Sequence, residues 1–70
     1  MNIKFSTDDD IPVKIKIFSN DGKVIINNNK ETNKGVNVIH IDLDPNLTKG
    51  IYILELTNEF DILREKIHIN

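Results

Sequence analysis

The side chains that could do chemistry in this chain are few and scattered. His40 and His68 stand far apart, each inside an alternating apolar segment. A histidine metal site needs further ligands at short, defined spacing, and neither histidine has them, so both read as ordinary strand positions. There is no cysteine, and neither Ser6 nor Ser19 lies in the strand-to-helix elbow that activates a nucleophilic serine. The carboxylates cluster twice, as Asp8-Asp9-Asp10 and as Asp42-x-Asp44. Ca²⁺ takes several such oxygens, and two acidic loops meeting at one end of a sandwich would supply them. The triplet lacks the spacing of a calcium loop, however, and short acidic side chains also stabilise turns by accepting nearby backbone N–H groups. Turn chemistry is therefore the expected role. A carboxylate pair for glycoside hydrolysis would need a cleft, for which 70 residues leave little room. Asn46-Leu47-Thr48 fits the N-glycosylation pattern, a short match in an Asn-rich chain. These residues predict a domain with no catalysis, cofactor or metal of its own.

Composition narrows the remaining classes. A chain of 70 residues holds one domain, spanning residues 1–70, with one small core. It buries only about 60% of its unfolded surface. Nine basic against eleven acidic residues give a net charge of −2 with mixed signs. That balance argues against a nucleic-acid or anionic-membrane surface. No apolar run approaches the roughly 20 residues of a membrane helix, and the first residues do not read as a secretory signal. An oligonucleotide-binding barrel would set aromatics beside a basic stripe. Phe5, Phe18, Tyr52 and Phe60 have no such stripe.

Isoleucine, asparagine and lysine dominate, and alanine is absent. A branched β-carbon suits the pleated sheet, and the strongest helix former is missing. Period-two alternation predicts strands over Met1 to Ser6, Ile11 to Ser19, Val36 to Leu43 and Gly50 to Thr57, with one or two more in Phe60 to Ile69. Pro12 lacks an N–H and should sit at an edge or outside the ladder. Asn20-Asp21-Gly22 predicts a hairpin, a type I turn closed by a left-handed glycine. In that register Ser19 faces Lys23, Phe18 faces Val24 and Ile17 faces Ile25, which puts Ile15, Ile17 and Ile25 on one face. Asn27 to Gly35 reads as a polar loop. Adjacent Ile62 and Leu63 predict a bend or bulge near Arg64. Short strands between turn signals indicate an all-β sandwich or small barrel.

The clearest single segment is Leu47-Thr48-Lys49-Gly50-Ile51-Tyr52-Ile53-Leu54-Glu55-Leu56. A loop closes at Gly50 and a strand follows, with Tyr52, Leu54 and Leu56 on one face and Ile51 and Ile53 on the other. Phe18, Val24, Ile26, Val38, Ile51 and Ile53 all fall opposite the faces assigned to the core. A contiguous apolar patch on an outer face marks an interaction site, with Phe18, Val24, Ile51 and Ile53 as its candidates.

From Ile11 to Ile69 the chain resembles the C-terminal sorting domain of the type IX (Por) secretion system of Bacteroidetes. The resemblance is carried by Val13 to Val24 with its Asn20-Asp21-Gly22 turn, by the glycine-led strand Gly35 to Leu43, by Leu47-x-x-Gly50-x-Tyr52-x-Leu54-x-Leu56, and by Lys66 to Ile69. It implies an Ig-like β-sandwich of six or seven mostly antiparallel strands, appended to a secreted cargo and read by the outer-membrane translocation machinery. It further implies a non-enzymatic role, a secreted or cell-surface location as part of a larger protein, and a protein partner without membrane insertion. The resemblance implies signature or recognition positions at Gly22, Gly35, Leu47, Gly50, Tyr52, Leu54 and Leu56, with Arg64 and Lys66 near the end where the family often carries a basic residue. An edge strand with unpaired backbone groups offers a route to partner binding or self-association. The alternative is a stand-alone β-sandwich serving as an interaction, structural or adhesion module.

Overall fold

The structure, a computed structural model, describes residues 1–70. It contains six strands and no helix: β1 (Asn2–Thr7), β2 (Pro12–Ser19), β3 (Val24–Glu31), β4 (Gly35–His40), β5 (Gly50–Thr57) and β6 (Ile62–Ile69). Two antiparallel sheets result, a four-stranded one in the order β3-β2-β5-β6 and a two-stranded one of β1 and β4. Together they form an Ig-like, sandwich-like pair of layers.

The alternation explains which strands lie inside. Val13, Ile15 and Ile17 in β2 and Tyr52, Leu54 and Leu56 in β5 are buried, while Lys14 between them is exposed. β2 and β5 are the central pair, so each needs one continuous apolar face. Ile3, Ile39 and Ile41 close the core from the smaller sheet. Pro12 opens β2 beside Glu31, while the β2–β5 ladder begins only at Lys14 and Thr57. The proline thus sits outside one ladder, as its missing N–H requires.

The β2–β3 turn has the expected form. The Gly22 N–H donates to the Ser19 carbonyl at 2.9 Å, and the Ser19 N–H donates to the Lys23 carbonyl at 2.8 Å. Gly22 has φ +92, a region that costs an L-residue strain. Beyond Phe18 and Val24 the register slips, and Ile17 faces Ile26 instead of Ile25. Ile25 is the extra residue of a bulge. Both Ile25 and Ile26 are half-buried and pack on the core, so Ile26 does not belong to the outer face.

Other expectations are corrected. Asn27 to Glu31 is strand, not loop, because main-chain pairing with β2 holds an edge strand whose side chains stay in water. Thr32, in the supposed loop, is buried and donates its hydroxyl to the Ile11 carbonyl at 2.5 Å. β4 stops at His40, although Ile41 still pairs with Met1 and is buried. β6 runs unbroken against β5 with no bulge at Arg64. Leu63 shares the inner side with Ile67 and Ile69, while Ile62 faces out opposite Thr57.

The two acidic loops do not meet. Asn2 faces His40 and Thr7 faces Gly35, so Asp8 to Asp10 lie at one end of the β1–β4 ladder and Asp42 and Asp44 at the other. Asp44 makes a local turn bond, whereas Asp10 ties its loop to the β3–β4 connection. Asp10 accepts the Lys34 N–H at 2.6 Å, and Asp44 accepts the Asn46 N–H at 2.9 Å.

Candidate recognition surface

The sandwich has two ends of unequal interest. Ser19 pairs with Tyr52, and Gly50 pairs with Ile69. The Gly22 turn, the Leu47–Gly50 loop and the close of β6 therefore share one end. Between the turn and the loop lies an open hollow of about 570 Å³, bordered by Asp21, Lys23, Leu47 and Lys49. Gly35 starts β4 at the opposite end and is not part of this group.

The loop is held by the tyrosine two residues beyond Gly50. The Tyr52 ring is buried, and its hydroxyl donates to the Thr48 carbonyl at 2.5 Å. A tyrosine at the start of a strand bonding back to the preceding corner is a recurrent brace of Ig-like sandwiches. Gly50, with φ +153, carries the chain from the braced loop into β5. Leu54 and Leu56 continue the same buried face. Tyr52, Leu54 and Leu56 thus act from inside, by fixing the shape of the loop and the sheet. Leu47 is half-buried beside the hollow.

The Ser19 hydroxyl donates to Asp21 across the turn. That bond, with the backbone N–H groups of Asp21 and Lys23, holds the Asp21 carboxyl below its usual range. The turn is thus a charged, rigid rim to the hollow.

The outer face of the larger sheet begins at this end. Val24, Phe18, Ile53 and Lys66 form a row across β3, β2, β5 and β6. Ile51 lies alongside, opposite His68. Val24 is 46% and Ile51 40% exposed, while Phe18 and Ile53 are half-buried. The four candidate partner residues are therefore gathered in one apolar patch. Val38, 64% exposed, sits on the outer face of the smaller sheet and is not part of it. In the next row Arg64 Nε donates to Glu55 Oε2 at 2.8 Å and holds that carboxyl below its ordinary value. Lys66 has no such partner in the sheet and adds a positive charge beside Ile53.

Some polar residues with clear duties carry no periodic signal. The Asn37 side chain donates to the carbonyls of Asn33 and Gly35 and accepts the Asn33 N–H, closing the β3–β4 connection. Thr32 ties the same connection to Ile11. His40 lies between Asn2 and Asp42 on the surface, with contacts of 2.8 and 2.7 Å. No group of three His, Cys, Asp or Glu side chains comes together in a way that could hold a metal ion.

Of the pieces that resemble a sorting domain, the Gly22 turn, the Leu47–Leu56 segment and the close of β6 form one braced end with an adjoining apolar face, while the Gly35 strand lies apart in the smaller sheet. No curated protein and no solved structure matches the chain. A family model described as "Secretion system C-terminal sorting domain" matches residues 1–70. Domains of that family are non-catalytic signals of Bacteroidetes, which direct cargo through type IX secretion to the exterior or the cell surface. The chain belongs to the family of secretion system C-terminal sorting domains and is a type IX sorting signal.

Proposed function

We propose that the translocation machinery reads this domain at the Gly22/Gly50 end and along the adjoining face of Phe18, Val24, Ile51 and Ile53. The observation that carries the reading is the continuity of the turn, the braced loop and the apolar row of the larger sheet. Burial of one such aliphatic side chain contributes about 1.5–3 kcal/mol, so a few of them suffice for a specific contact. Lys66 and Arg64 supply charge at the rim of the patch, where charge directs partner choice more than affinity. Tyr52, Leu54, Leu56 and Gly50 serve recognition indirectly, through the loop and strand they position. Gly35 serves the fold alone.

In this reading the domain performs no reaction, binds no cofactor and does not enter the membrane. It folds as one unit over residues 1–70 and acts as the address of a larger secreted or surface-attached protein. The test is export of a reporter bearing a signal peptide and this domain, with Ile51→Thr and Ile53→Thr together. Both side chains lie on the outer face, so the variant keeps its fold by circular dichroism while export falls. Unchanged export by the folded variant would move recognition off this face. Loss of self-association with export intact would assign the face to contacts between copies.

A further inference from the structure

The smaller sheet covers the larger one incompletely. Two strands face four, and β1 residues border a hollow with Leu63 and Glu65 of β6. Ile3, Lys4 and Phe5 share a hollow of about 80 Å³ with Leu54, Leu56 and Leu63. Next to it a second hollow, of about 160 Å³, opens among Phe5, Val13, Leu56 and Leu63. Leu63 points to the inner side opposite Leu56, yet it is 50% exposed where it borders the two open hollows.

The backbone along this seam is also unsatisfied. Met1 and Ile41 exchange both main-chain hydrogen bonds, at 2.8 and 2.7 Å. In the regular antiparallel ladder that follows, Ile3 and Phe5 bond to β4, whereas the N–H and C=O groups of Asn2, Lys4 and Ser6 point away along the open edge. An apolar floor beneath a row of free backbone groups is the requirement for an added strand.

We propose that this seam takes an extended segment of another polypeptide, which pairs with β1 through Asn2, Lys4 and Ser6 and completes the smaller sheet. Side chains two residues apart on a strand lie roughly 7 Å apart on one face, and they would occupy the two hollows in turn. The segment is therefore apolar at alternate positions over about five residues. The partner is a single strand with no layer beneath it. This surface is distinct from the Ile51/Ile53 face, and neither depends on the other.

The experiment is an NMR titration of the domain with a capped heptapeptide alternating valine and threonine. The expected result is saturable shifts with slowed exchange at the amides of Asn2, Lys4 and Ser6, together with shifts of the Leu63 methyls. Lys4→Pro removes an N–H that β4 does not use, so the β1–β4 ladder survives and peptide binding weakens about tenfold. Leu63→Glu, at a half-exposed position, gives a second loss of similar size without touching the ladder. Absence of saturable shifts would overturn the proposal. So would shifts confined to β3 or to the outer edge of β6, or undiminished binding by either folded variant.

Discussion

Replacing Tyr52 with phenylalanine isolates the brace on which the recognition end depends. The ring is 6% exposed and stays in place in the variant, so the change removes only the hydroxyl that donates to the Thr48 carbonyl. A single intramolecular hydrogen bond adds a net of about 0.5–1.5 kcal/mol. Thr48 is exposed, so water can take up the freed carbonyl, and the loss should be about 1 kcal/mol. For a domain of this size that lowers the melting midpoint by roughly 4–8 °C. Tyr52→Ala is the control. It also empties part of the core, at a cost of about 3–5 kcal/mol, which a marginal 70-residue domain does not withstand. The assay is thermal melting by circular dichroism, with hydrogen exchange at the Leu47 amide, which donates to the Asp44 carbonyl, as the local readout. In Tyr52→Phe the Leu47 amide should exchange faster while the amides of Ile15 and Ile17 stay protected. A midpoint equal to that of the parent, with unchanged loop exchange, would refute it.

Gly22→Ala meets nothing within 4 Å, so its cost is the strain of a positive φ, about 1–2 kcal/mol, and should appear as a lowered denaturation midpoint. Thr32→Val keeps the shape but orphans the Ile11 carbonyl, and should destabilise by about 1–3 kcal/mol in chemical unfolding. Arg64 lowers the Glu55 carboxyl below its ordinary value of 4.5, so the pair stabilises the fold above that pH and loses its contribution as pH falls through the lowered value. Melting midpoints measured between neutral and acidic pH should therefore converge for the parent and Arg64→Gln at the acid end, with the parent higher above it.

The legible parts of this fold were those where one face of a strand is buried. Val13, Ile15 and Ile17, and Tyr52, Leu54 and Leu56, alternate because β2 and β5 are central and pack on one side only. The edge strands obey no such rule. Asn27 to Glu31 is held by main-chain bonds, so its side chains carry no burial signal. Ile62 and Leu63 sit on an edge strand open to water on both faces, and their adjacency required no bend. The Ile25 bulge reflects a contest between register and turn geometry that alternation does not encode. At the recognition end, Gly22, Leu47, Gly50 and Tyr52 were all legible from the motif. Their convergence was not, since it depends on strand order. The same holds for the acidic loops, which only the β1–β4 pairing separates to opposite ends.

The most direct test of the account is export of a reporter carrying a signal peptide and residues 1–70, compared in cells with and without a functional type IX translocon. The account expects the reporter outside the cell or on its surface only where the translocon works, and trapped in the periplasm elsewhere. Equal release from both strains, or retention in both with the domain folded, would contradict it.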